Sequence, residues 1–109
     1  MKTIYIAGPM KGHKCFNFKN FFHWQVKLEK SGYKVINPAE IDCLKWIEEG
    51  WIFTEDQHGD ILKKDCEIIR TKVDTLFVLT GWETSVGANR EIATAKEKGI
   101  LVVYEDNKR

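Results

Sequence analysis

At 109 residues the chain is long enough for one domain with a buried core, but short of what a pocket enclosed on all sides requires. A single domain over residues 1–109 is expected, with a site completed by a second copy in a homodimer or higher homo-oligomer. The 17 Lys and Arg and 16 Asp and Glu are intermixed, with no basic stripe to follow the phosphates of polymeric DNA or RNA. Cys15, Cys43 and Cys66 lack Cys-x-x-Cys spacing, no signal peptide precedes Lys2, and no apolar run nears membrane-spanning length. These features point to a soluble cytoplasmic protein with no membrane association.

In chain order, Thr3 to Ala7 reads as a buried strand that ends in the loop Gly8-Pro9-Met10-Lys11-Gly12. Asn17 can cap a helix over residues 18–30, with Phe18, Phe21, Phe22, Val26 and Leu28 facing inward and Gly32 closing its end. A short strand follows at 33–36 and Asn37-Pro38 breaks it. The next twenty residues hold Trp46, Trp51 and Phe53 around Gly50 and carry no clear period. A polar helix is expected over 59–72 with Ile61, Leu62, Ile68 and Ile69 inward. A strand at 73–79, a helix at 86–98 burying Ala88, Ile92 and Ala95, and a strand at 100–104 complete the pattern. Strands alternating with helices argue for an α/β fold. The expected form is a three-layer, Rossmann-like domain with a mainly parallel sheet of four or five strands. Ligands in such sheets bind beyond the carboxyl ends of the strands, where the loops 8–12, 37–40 and 81–87 converge.

The richest stretch is Thr84-Ser85-Val86-Gly87-Ala88-Asn89-Arg90-Glu91-Ile92. Ser85 is a good N-cap, Gly87 lets a ligand approach the backbone, and the first helix amides present N–H groups and the positive end of the dipole. A phosphate fits there, and Glu91 then lies within reach of the sugar that carries it. Each residue also has a plainer explanation. Ser85 can be a cap alone, Glu91 a solvated helical Glu, Asp65 a solvated partner of Lys63 and Lys64, and Tyr5 a core residue. Trp82, in the loop before Ser85, is placed to stack on a base, whereas Trp24 reads as helix packing. Cys66 reads as a small packed residue. His13, His23 and His58 share no ligand spacing, so no metal and no cofactor are assigned. Neither a dinucleotide fingerprint nor a P-loop occurs.

Ile4-Tyr5-Ile6-Ala7-Gly8-Pro9-Met10-Lys11-Gly12 and Ser85-x-Gly87-x-x-x-Glu91 resemble the nucleoside 2-deoxyribosyltransferase superfamily, which includes the 2′-deoxynucleoside 5′-phosphate N-hydrolases. Phe16-Asn17-Phe18, Gly32-Tyr33-x-Val35-x-Asn37-Pro38 and Gly81-Trp82-x-x-Ser85-x-Gly87-Ala88 look like phrases of a small branch of it found in bacteria and phages. The resemblance covers most of the chain and leaves out residues 41–60. It implies that Glu91 attacks the anomeric carbon, Asp65 assists the leaving base, Tyr5 orients Glu91 and Ser85 holds a 5′-phosphate, in a retaining displacement at C1′. Water as acceptor gives hydrolysis, and a second base gives transfer. Pro9 stands where the phosphohydrolases have Ser, Lys11 keeps a cation where they have Arg, and Asn89-Arg90 replaces small or apolar residues. Arg90 thus offers a contact for a second phosphate.

The expectation is a nucleotide or nucleoside site lined by Tyr5, Gly8, Pro9, Met10, Lys11, Asp65, Trp82, Ser85, Gly87, Arg90 and Glu91, with cleavage or transfer at the N-glycosidic bond. The alternative is a non-catalytic, phage-type sponge that sequesters a signalling nucleotide such as a cyclic ADP-ribose derivative. A structural subunit with an empty pocket is a third reading. The apolar segment 43–53 is expected to pack on a partner copy and reach over its site.

Overall fold

The computed structural model describes residues 2–9, 18–39 and 55–105, with side chains from 19 in the second stretch and from 64 in the third. Met10, Lys11, Gly12, the Asn17 cap and the apolar segment 43–53 lie outside the described residues, as do the side chains of Phe18, Ile61 and Leu62.

The described elements are β1 (Thr3–Ala7), α1 (Phe18–Lys30), β2 (Lys34–Ile36), α2 (Glu55–Lys72), β3 (Thr75–Val78), a single 3-10 turn (Trp82–Thr84), α3 (Val86–Lys98) and β4 (Leu101–Tyr104). The four strands form one all-parallel sheet in the order β2-β1-β3-β4. Tyr5 of β1 stands in register with Ile36 on one side and Leu76 on the other. β1 and β3 read as near-continuous apolar runs because helices cover both their faces. On one face α1 sets Phe21, Trp24 and Leu28 against Ile4, Ile6, Phe77 and Leu79. On the other, Ile69 of α2 with Ile92 and Ala95 of α3 packs on Tyr5, Ala7, Leu76 and Val78. The result is the three-layer α/β arrangement expected from the alternation of elements.

Three local expectations need correction. Phe22 and Val26 do not face inward but stand 37% and 51% exposed. The buried stripe of α1 runs through residues 21, 24 and 28, spaced three and four apart; 22 falls about one residue's rotation away from it and 26 nearly on the opposite side. The second helix begins at Glu55, so Gly59 lies inside it; the helix-favouring residues around one glycine outweigh its cost of about 1 kcal/mol. The second and third strands are shorter than expected, starting at Lys34 and Thr75, because each extends only as far as its ladder partners on the neighbouring strand do. α3 matches its expected bounds. Ser85 caps its start, and Gly99, at φ 79°, closes its end with amides of Gly99 and Ile100 turned back to Lys96 and Ala95. Among the described residues no helix is long and apolar enough to cross a membrane.

Because all strands run the same way, their carboxyl ends share one edge. The chain leaves β1 for β2 on one side and returns to β3 on the other, so the strand order reverses between β1 and β3. In parallel sheets such a reversal is where a ligand crevice forms outside the carboxyl ends; here it falls between Gly8 and the loop that leaves β3 at Leu79.

Candidate functional site

Beneath the crevice, three polar side chains from three elements meet inside the α2–α3 face of the sheet. Tyr5 sits in the middle of the central strand and is fully buried. Its hydroxyl donates to Oε2 of Glu91, on the second turn of α3, at 2.7 Å. Asp65, from α2, hydrogen-bonds at the same phenol. Both carboxylates are nearly as deep, Glu91 at 6% and Asp65 at 8% exposure. Asp65 is therefore not the solvated partner of Lys63 and Lys64 that its neighbours suggest: it shares a buried arc of α2 with Cys66 and Ile69. Buried carboxylates are expensive unless hydrogen-bonded, and the phenol provides a donor.

Burial first, then the charges of Glu91 and Asp65 and the hydrogen bonds to them, hold the Tyr5 hydroxyl well above its ordinary pKa. Tyr5 therefore remains a neutral donor throughout the physiological range. Glu91 and Asp65 thus both act on the one phenol oxygen.

The loop between β3 and α3 forms the second half of the site. Gly81 takes a left-handed conformation, φ 94°, and turns the chain into the 3-10 turn. Ser85 follows with extended backbone, and its Oγ accepts the Ala88 amide at 3.1 Å. Accepting leaves the hydroxyl proton to give, and the amides of Val86 and Gly87 belong to the helix turn that has no intrahelical acceptors. Glu91 lies six residues on, about 9 Å along the axis at 1.5 Å per residue, and helical side chains lean back toward the N-terminus.

The other expected residues fall out as follows. Trp82 is half-buried and its ring packs on Tyr104, with centroids 5.3 Å apart, so its position owes something to the core. Gly87 is half-buried at the start of α3, and Arg90 is on its exposed side. Pro9 is fully buried. Gly8 has a packing reason to be glycine, since a Cβ there would sit 2.8 Å from Leu79 Cβ. Close approach at Gly8 is therefore to Leu79 rather than demonstrably to a ligand. Cys66 is a buried free thiol, and Trp24 packs on Phe77, each as expected. Among the described residues, no three His, Cys, Asp or Glu side chains come together to hold a metal ion.

Sequence reasoning missed two side chains that shape the loop. The Asn89 amide donates to the carbonyls of Trp82, Glu83 and Ser85, at 3.1, 3.2 and 2.8 Å, tying the 3-10 turn to α3. An Asn four residues after a cap is a local signal that could have been read. The other is Glu105, just past β4, whose partners are distant in sequence.

No curated protein matches this sequence. Residues 2–104, which hold every group described above except Glu105, match the family described as Domain of unknown function (DUF4406), and the chain belongs to that family.

Proposed function

We propose that this protein binds a nucleotide or nucleoside in the crevice and cleaves or transfers at its N-glycosidic bond, as the resemblance to nucleoside 2-deoxyribosyltransferases suggests. One observation carries the reading: a buried Glu91 is oriented by a buried Tyr5 hydroxyl, with Asp65 at the same phenol. A core without chemistry to perform does not need two carboxylates there, since apolar residues of similar size serve stability as well or better.

In this mechanism, Tyr5 fixes one Glu91 oxygen and the other attacks C1′. The C1′–N bond breaks, and the base leaves with the electron pair and takes a proton from the Asp65 carboxyl group. The resulting glycosyl ester of Glu91 is opened at C1′ by water, which gives its proton to Asp65. Two inversions at C1′ retain its configuration. A second base in place of water completes a transfer. Ser85 and the first amides of α3 hold a 5′-phosphate, with Lys11, and Arg90 for a second phosphate, as supplementary cations. Trp82 lies beside the base.

Incubation with deoxynucleoside 5′-monophosphates, nucleosides and signalling nucleotides, followed by chromatography, tests this. Free base is expected. Ligand recovered intact after heat release would instead make the protein a nucleotide sponge.

Two further outcomes are expected. Ser85→Ala weakens phosphate-bearing ligands more than their nucleosides, by about 1 to 2 kcal/mol in calorimetry, because it removes a hydrogen bond to a charged group. Equal losses would reduce Ser85 to a cap. The protein is also expected to sediment as a homodimer or larger at micromolar concentration, because ligand sites bury most of their ligand and a chain of 109 residues cannot easily enclose one alone. A monomer that binds nucleotide tightly would refute a shared site.

A further inference from the structure

Glu105 stands immediately after β4 and ties together three separate parts of the fold. Its amide donates to the Val78 carbonyl at 2.7 Å, carrying the β3–β4 pairing one step past the strands. One carboxylate oxygen accepts the Thr80 amide at 2.8 Å, at the root of the loop that leads to Ser85. The other accepts the Trp24 indole N–H at 2.9 Å, from α1 on the opposite face of the sheet from Glu91. Trp24 is itself fixed, its ring 4.7 Å from Phe77 and covered by the Lys27 ammonium at 4.7 Å. The anchor on the α1 side is thus rigid. Burial works against the Glu105 charge, but hydrogen bonds from Thr80 and Trp24 and the nearby His23 outweigh it and hold the carboxyl below its ordinary pKa.

The loop is fastened at its other end by Asn89, through the Trp82, Glu83 and Ser85 carbonyls. Between these two ties lie Gly81, in its left-handed conformation, and Trp82, whose ring rests on Tyr104 next to Glu105. A flexible loop would have to be ordered by each ligand it binds, whereas one held at both ends presents its donors already set.

We propose that Glu105 is a positioning residue of the site: by accepting from the Thr80 amide and the Trp24 indole together, it sets the Thr80–Ser85 loop so that Ser85 and the first amides of α3 meet a phosphate group. This rests on the phosphate-binding role given above to Ser85. Glutamine cannot replace Glu105, because it has one acceptor oxygen for two N–H donors and must turn its NH2 on the other. Removing the indole donor removes that conflict.

The experiment compares wild type, Glu105→Gln, Trp24→Phe and the double variant. It reads amide exchange at Thr80 by NMR and the ratio of affinities for a nucleoside 5′-monophosphate and its nucleoside. Glu105→Gln is expected to speed exchange at Thr80 and lower the monophosphate preference by about three- to tenfold. The double variant is expected to recover much of both. Unchanged exchange at Thr80 in Glu105→Gln would overturn the fastening whatever the protein binds. Faster exchange with an unaltered affinity ratio would also overturn the proposal, leaving Glu105 a structural tie. A wild type without any preference for the monophosphate would overturn the phosphate reading of Ser85 and this role with it, while the exchange data still report the tie itself.

Discussion

Glu91→Gln is expected to abolish N-glycosidic turnover, by on the order of 10^3-fold or more, while the protein remains folded. Gln occupies nearly the same volume and its oxygen still accepts from the Tyr5 hydroxyl, so neither a cavity nor an orphaned phenol is created. What disappears is the anionic oxygen proposed to attack C1′. Ligand affinity should survive, because the groups of the β3–α3 loop proposed to hold the phosphate are untouched. Base release by chromatography and binding by calorimetry together check this. Retained turnover would remove Glu91 from the nucleophile role. Glu91→Ala is the less clean probe, since it empties a buried position and leaves Tyr5 without its acceptor.

Tyr5→Phe is expected to lower stability by about 1 to 3 kcal/mol in denaturant unfolding, and turnover with it. The ring stays, so little packing is lost, but the buried Glu91 loses its 2.7 Å donor, beside the equally buried Asp65. Adding Glu91→Gln should return part of the loss, because a neutral amide needs the phenol less; an additive double variant would deny the coupling. The raised pKa of Tyr5 gives a second readout. Folded protein holds the phenolic proton more tightly than the unfolded chain. Its contribution to stability is therefore complete below the ordinary phenol value of about 10 and is lost as pH rises from there toward the raised value. Wild type should lose stability above that pH partly through Tyr5, and Tyr5→Phe should lack this component.

How much of this was legible depends on whether the signal is local. α3 could be read to the residue because its two ends carry their own punctuation, a serine cap and a left-handed glycine. The parallel sheet followed from strands separated by helix-length crossovers. Asp65 entered through the resemblance and not through local pattern, because its lysine neighbours look like a solvated face and the rotation of α2 that buries it is set by packing on the sheet and on α3. The inward face of α1 was misjudged for a similar reason. Aromatic and aliphatic residues lie on several of its sides, so periodicity did not single out Phe21, Trp24 and Leu28 over Phe22 and Val26. Gly8 was counted among the residues lining the site, and its closeness to Leu79 was not legible because the two are brought together only by the pairing of β1 with β3. Glu105 has partners 25 and 81 residues away, which no motif connects.

Whether Glu91 becomes covalently glycosylated is the most direct question to put to the proposed chemistry. Wild type and Glu91→Gln would be mixed with a deoxynucleoside 5′-monophosphate, quenched in acid during turnover, and weighed intact and after digestion by mass spectrometry. The expected result is a mass increase of one deoxyribosyl phosphate on the peptide that contains Glu91, in wild type alone, accompanied by free base. Base released with no adduct on that peptide, or nucleotide left uncleaved beside unmodified protein, would contradict it.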